Sequence, residues 1–569
     1  MGFRGAVATH HHQSALAAYE ILEAGGNAVD AGVGAVLVEG VVNPHMHGPA
    51  GECPILLAGP GLAPTAVNGN TMAPTLASVE AYRSRGLACM PDEGVLAAGV
   101  PASLSALLTA LQRFGSMPLH RVIEPALEVA RHGFAMHDGL HAQEKVGIGA
   151  LAQKFVAQWP GSAALYLDGD LPIAPGQRCA NPRLADVYDT LSARSRSAKT
   201  LAQSCEAARD EFYRGSVAHA IDRYSRAHGG LLRAQDLAGF SSPVETPCGV
   251  DLGSTTLYKC STWCQGPALL QTLQILKAMN VMAMEHNSAG YLHVLTEATK
   301  LAYADREQWY ADPAVVDVPL TQLLSDDYAS TRSQLIDLER AHPDMRPGDP
   351  RTGAALLDRS LWVGGKSWGA GTVHVDVADA SGMMAAFTPS GGWLGSNEVM
   401  PELGFPLGNR LMTFYLEPDH HPNLVAPRKR PRTTLSPSLA TKDARPWLAF
   451  GSMGADQQDQ WQLQLYLNIA VFGMTPQQAI EAPKCSSEHF DGFFAPHTRF
   501  PQRLRVENAV DPAVIEDLTA RGHEIDLAPM WTEGYINAVA RDPHSGCLEA
   551  AADPRGARGD VFPATALAW

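Results

Sequence analysis

Residues 371–393 read GTVHVDVADASGMMAAFTPSGGW, and the reading of the whole chain turns on this stretch. Val373, Val375 and Val377 alternate with other residues at the period of two that marks a strand. Ala380-Ser381-Gly382 has turn chemistry, and residues 383–388 form the returning strand. Pairing Asp379 with Met383 across that turn places Ser390 opposite Thr372 and Thr388 opposite His374. Thr372 then has a second hydroxyl beside its own. A threonine hydroxyl is a poor nucleophile at neutral pH unless a base takes its proton. The threonine's own α-amine, with a pKa of about 7.7–8.0, can be that base once the bond before it is cut. On these residues alone, an ordinary hairpin with surface hydroxyls explains the pattern as well.

Other segments bear on the choice. In chain order they are AAYEILEAGGNAVDAGVGAVLVEGVVNPH from Ala17, GVPASLSALLTALQRFGSMPLHRVIEPALEVARHGF from Gly99, CSTWCQGPALLQTLQIL from Cys260 and EATKLAYADREQWYADP from Glu297. They continue with KRPRTTLSPSL from Lys429, FGSMGADQQDQW from Phe450 and AADPRGARGD from Ala551. In this order and spacing they resemble the gamma-glutamyltransferase family of N-terminal nucleophile hydrolases over almost the whole chain. The resemblance implies an α+β fold, a four-layer αββα sandwich. It also implies a precursor that cuts itself before the threonine of a TTH-like sequence, here between Gly371 and Thr372. Residues 1–371 would become a large subunit and 372–569 a small one carrying the nucleophile, the two forming one compact unit.

The same resemblance assigns roles. Thr372 is the nucleophile, Ser390 its neighbour, and the backbone N–H groups of Gly454 and Ala455 with the hydroxyl pair Thr433-Thr434 stabilise the oxyanion. Ala455 stands where the family usually has a second glycine, so the N–H survives but the loop loses freedom. Without the resemblance, Thr433-Thr434 reads as a strand pair after a proline turn. The substrate-binding candidates are Asn70, Thr388, Gly391, Gly392, Arg410 and Thr413. Asn70 stands at the position of the arginine that clamps a γ-glutamyl α-carboxylate, and Thr413 at that of the aspartate that binds the α-ammonium. An asparagine does not replace a buried bidentate arginine without loss of affinity for a carboxylate. TPSGGW, PELGFPLG, HPN and KRPRTTLSPSL look more like the cephalosporin-acylase branch, whose members remove glutaryl-like or aminoadipyl-like side chains. Arg410 is a candidate carboxylate partner there, or else a solvent-facing loop arginine.

Composition fits without proving this. At 569 residues and 46% hydrophobic the chain can bury a large core, and its formal charge of −16 disfavours nucleic acid or an anionic membrane surface as partner. No apolar run approaches the ~18 residues of a membrane helix. The N-terminus, MGFRGAVATHHHQSA, lacks the apolar core of a secretory signal, and the nine scattered cysteines suit a reduced cytoplasm. Cys260 and Cys264 have no second Cys or His pair to complete a zinc site, which leaves them a structural role. His10-His11-His12 reads as a polar segment before the first helix. GGKS at 364–367 lacks the leading glycine of a phosphate loop.

Helical patterns cover residues 13–24, 28–42, 102–114, 119–132, 268–279 and 289–310. Strand-like runs cover 372–378, 384–388, 447–450 and 536–541, and 347–371 reads as an exposed loop leading to the cut. The expected function is a self-processing hydrolase of a small acyl amide, glutaryl-like or related, which passes the acyl group to water or an amine. No cofactor or metal is expected, and assembly into a homo-oligomer stays open. A true gamma-glutamyltransferase or glutathione hydrolase is the alternative. A non-catalytic binding protein would be expected to lack the nucleophile or its neighbours, and Thr372, Ser390, Thr433 and Thr434 are all present.

Overall fold

The computed structural model describes residues 1–358, 371–494, 497–555 and 564–569. The GGKS sequence and the rest of residues 359–370 in the 347–371 segment lie outside them, as does part of the AADPRGARGD motif. Two antiparallel sheets stack face to face. One has seven strands in the order Thr565–Ala568, Gly5–Thr9, Val375–Asp379, Met384–Phe387, Ile55–Gly59, Leu62–Val67, Val244–Glu245. The other has six, in the order Leu548–Ala552, Ile536–Arg541, Arg445–Ser452, Ser438–Lys442, Thr255–Lys259, Cys248–Leu252. Small and aliphatic side chains fill the layer between them, among them Ala378, Met384, Ala386, Leu439 and Ala449. Cys260 and Cys264 are buried in that layer as free thiols, which gives them the structural place expected. Helices cover both outer faces, completing four layers.

The hairpin has the register read from sequence: Val375 pairs with Phe387 and Ala378 with Met384. Asp379 builds the turn, its Oδ1 accepting from the N–H groups of Ser381 (2.9 Å) and Met383 (3.2 Å). Gly382 sits at φ +92, a conformation that favours glycine. The other carboxylate oxygen of Asp379 accepts from Ala28 N at 2.9 Å, a negative group at the positive end of the helix Ala28–Val42. Asn27 and Asp30 cap the same helix reciprocally. Buried along its whole length, this helix lies against the hairpin. Gly32 permits the approach, since a Cβ there would come 2.0 Å from the Phe387 ring.

Three local readings change. Regular pairing begins at Val375 rather than at residue 372, because Val373 N donates to Pro389 O at 3.0 Å but Pro389 has no N–H to return, which interrupts the ladder. The helix expected over 119–132 is two, Leu119–Val122 and Glu124–His132, and Pro125 in the first turn of the second has no N–H to continue the first. His10 and His11 are buried rather than part of a polar lead-in. His11 N-caps the helix His12–Glu23, its ring accepting from Gln13 N.

The sheets meet closely where Gly451 lies on the His374 ring. A Cβ at 451 would come 2.3 to 2.7 Å from three ring atoms. Gly451→Ala is therefore expected to destabilise the protein by about 1–3 kcal/mol or more, with turnover impaired because His374 must move. Urea unfolding checks this, and an unchanged midpoint would mean that the sheets can part without cost.

Candidate active site

Thr372 and Ser390 face each other across an isolated antiparallel bridge, and Thr372 Oγ1 donates to Ser390 Oγ at 3.2 Å. On its other side Ser390 exchanges backbone hydrogen bonds with Glu52, so the serine is held between two strands. Its hydroxyl donates to Gly371 O at 2.7 Å and accepts from Arg410 Nη2 at 2.9 Å. One serine thus connects the threonine hydroxyl, the carbonyl before it and a guanidinium. All of them are buried.

Arg410 is only 1% exposed, which excludes the solvent-facing alternative. Its Nε donates to Glu52 Oε2 at 3.1 Å, and its guanidinium lies 5.0 Å from the centre of the Trp393 ring. Burial raises the Glu52 pKa, with Arg410 opposing the shift. Gly391 and Gly392 follow at φ +77 and +65, and a Cβ on Gly391 would come 2.2 Å from Glu52 Oε2. Two glycines in succession let the chain turn there and bring Trp393 back to Gly371.

Behind Thr372, His374 Nδ1 lies 3.0 Å from Thr388 Oγ1 and its Nε2 2.8 Å from Asp376 Oδ1. The side chain of Thr388 is thereby engaged with His374. Burial, with a smaller contribution from the Lys259 ammonium, lowers the His374 pKa from 6.5 to about 3. Burial also lifts Asp376 well above the usual carboxylate range. Both shifts favour the neutral forms, so this pair does not present a cation to Thr372 near neutral pH.

The second sheet brings the remaining groups. Met453 packs with Val373 and Met46, and Ala455 packs against the cluster of Trp393, Met412, Phe493 and Phe494, so the loop that follows Ser452 lies beside the segment that carries Thr372. Gly454 has φ +114 and Ala455 φ +50. A left-handed alanine costs about 1–2 kcal/mol, and the Gln265 amide, donating to Ala455 O at 3.0 Å, helps to hold it. Gln458, with its amide nitrogen turned toward its acceptors, joins Ser452 O (3.1 Å) to Thr434 O (3.2 Å). Thr433 is fixed by backbone bonds to Trp263 and Gln265. Asn70 Nδ2 donates to Pro431 O at 2.5 Å, and Thr413 Oγ1 donates to Arg410 O at 2.9 Å. Both side chains brace backbone around the site.

Glu52, His374, Asp376 and Trp393 escaped the sequence reading as site residues. His374 and Asp376 had a signal, since residues two apart on a strand share a face. Glu52 had none, being 358 positions from its partner Arg410. Among the described residues, no group of three or more His, Cys, Asp or Glu is arranged to hold a metal ion, and no helix is long and apolar enough to cross a membrane.

Two stacked sheets between helices, with a threonine and a serine paired at the mouth of a central hairpin, define an N-terminal nucleophile hydrolase. The gamma-glutamyltranspeptidase family model matches residues 14–562, and the chain belongs to that family of self-processing amide hydrolases and acyltransferases. It is 31% identical to the acylase ACY 1 proenzyme of Pseudomonas sp. (strain SE83), over 97% of this chain and 92% of that one. The solved structure of LmbA2991HD superposes with a TM-score of 0.93 at 40% identity, covering 100% of this chain and 98% of that one. The cephalosporin acylase from Bacillus halodurans superposes with a TM-score of 0.84 at 26% identity, covering 100% and 96%.

Ser390→Ala removes the hydroxyl that links Thr372, Gly371 and Arg410. Division of the chain, turnover or both are expected to slow by about 10²-fold or more, read from gel time courses and from kcat. A variant that matures and turns over normally would assign Ser390 to packing.

Proposed function

We propose that the chain cleaves itself between Gly371 and Thr372, and that the freed Thr372 hydrolyses a small acyl amide through an acyl-enzyme, with an amine able to replace water as acceptor. The observation that carries this reading is the hydrogen-bond sequence from Thr372 Oγ1 to Ser390 Oγ to Gly371 O. In the mature protein the Thr372 α-amine takes the hydroxyl proton, the oxygen attacks the substrate carbonyl, and the N–H groups of Gly454 and Ala455 receive the developing oxyanion. Donors so placed are worth about 3–4 kcal/mol each. Thr433 and Thr434 border that loop.

The acyl group follows from charge. The resemblance puts Asn70 and Thr413 where a γ-glutamyl substrate would meet an arginine and an aspartate, and neither can form a charged pair. Arg410 has Nε and Nη2 committed to Glu52 and Ser390. Glu52 offsets its charge, so a distal substrate carboxylate gains less from Arg410 than from an unpaired arginine. We therefore assign to the site a short acyl amide without an α-ammonium, glutaryl-like in length, whose distal carboxylate is tolerated rather than required.

A panel of three amides tests this: γ-glutamyl, glutaryl, and an uncharged acyl group of equal length. The γ-glutamyl amide is expected to be poorer in kcat/KM than the glutaryl amide by about 10²-fold or more, the worth of two charged hydrogen bonds, while the other two stay comparable. Efficient turnover of the γ-glutamyl amide alone would restore the glutathione-type alternative. A strong preference for glutaryl over the uncharged amide would return Arg410 to carboxylate binding.

A further inference from the structure

The carbonyl oxygen of Gly371 has a second donor. Trp393 Nε1 lies 2.6 Å from it, closer than the Ser390 hydroxyl, and 2.9 Å from Met46 O, so one indole N–H is shared between two carbonyls. The indole has no freedom to leave. Trp393 is fully buried, packs with Met412, Phe493 and Phe494, and lies beneath the Arg410 guanidinium. Gly371 is equally confined, since a Cβ there would come 2.6 Å from Met46 Sδ and 2.8 Å from His45 O. The carbonyl that self-cleavage must attack is thus held against two donors before any reaction begins.

We propose that Trp393 is a catalytic residue of self-cleavage, the fixed N–H donor to the oxyanion that forms on Gly371. This rests on the reading that the chain divides between Gly371 and Thr372. The Thr372 Oγ to Gly371 carbon bond forms as the carbonyl π pair moves onto oxygen. The threonine proton passes to Ser390 Oγ, and the serine proton passes to the new oxyanion. Collapse re-forms the carbonyl and breaks the carbon–nitrogen bond, and the proton ends on the Thr372 nitrogen. The product is an ester between Gly371 and Thr372 Oγ with a free amine, which water then hydrolyses to a Gly371 carboxylate and the free hydroxyl. Ser390 gives its proton to the Gly371 oxygen as it takes one from Thr372, so its hydroxyl is in exchange while charge develops there. The indole N–H does not ionise near neutral pH, so it is the donor that persists while charge develops.

The test follows division of the freshly folded full-length chain over time. Trp393→Phe keeps a ring under Arg410 and removes the donor. It is expected to divide about 10²–10³-fold more slowly, the usual effect of losing one oxyanion donor. Should that variant fail to fold, site-specific replacement of Trp393 by β-(3-benzothienyl)alanine, which substitutes sulfur for the N–H at nearly constant shape, decides the matter. A residue needed only for packing would leave that protein dividing at the normal rate, which would overturn the proposal. Added hydroxylamine, which cleaves esters, is expected not to speed the variant, because the slow step precedes the ester. Acceleration by hydroxylamine would move the defect to ester hydrolysis and also overturn the proposal. A wild-type chain that never divides would instead overturn the reading on which it rests.

Discussion

The antiparallel register of the 372–390 hairpin fixes which atoms can react, because a slip of one residue would turn Thr372 to the opposite face from Ser390. The register is held at both ends. At the turn, Asp379 accepts from Ser381 and Met383 with one oxygen and from the start of the Ala28–Val42 helix with the other. At the mouth, Ser390 is bridged to Thr372 on one side and to Glu52 on the other. Between them the His374 ring fills the space that Gly451 leaves in the facing sheet, so the register also sets how the two sheets meet.

Electrostatics at the mouth are nearly self-contained. Arg410 is paired with Glu52, while His374 and Asp376 are both pushed toward their neutral forms by burial. Beneath them Lys259 pairs with Asp459 at 2.9 Å, both fully buried, and also donates to Ser436, Ser438 and Gln462. Buried pairs of this kind bring specificity of arrangement rather than much stability, and removing one member leaves a costly unpaired charge.

Much of this was legible in the sequence where the signals are local. Gly25-Gly26, the Ala/Val run and Pro44 mark the Ala28–Val42 helix, and the Asp379 to Met383 turn with alternating valines gives the pairing of Thr372 with Ser390. Less accessible were features that depend on distant parts of the chain. Arg410 allowed a carboxylate-binding role or a solvent-facing one, and only the fold brings Glu52 and Ser390 to it. The burial of His10 and His11 likewise needs the tertiary structure, since three adjacent histidines read locally as polar.

The central claim is that Thr372 becomes a chain terminus. N-terminal sequencing with intact-mass measurement of the purified, active protein tests it most directly. Two tightly associated fragments are expected, 1–371 and 372–569, the second beginning with Thr372, and a single undivided chain for Thr372→Ala. An intact chain with full activity, or a second fragment that begins at another residue, would contradict it.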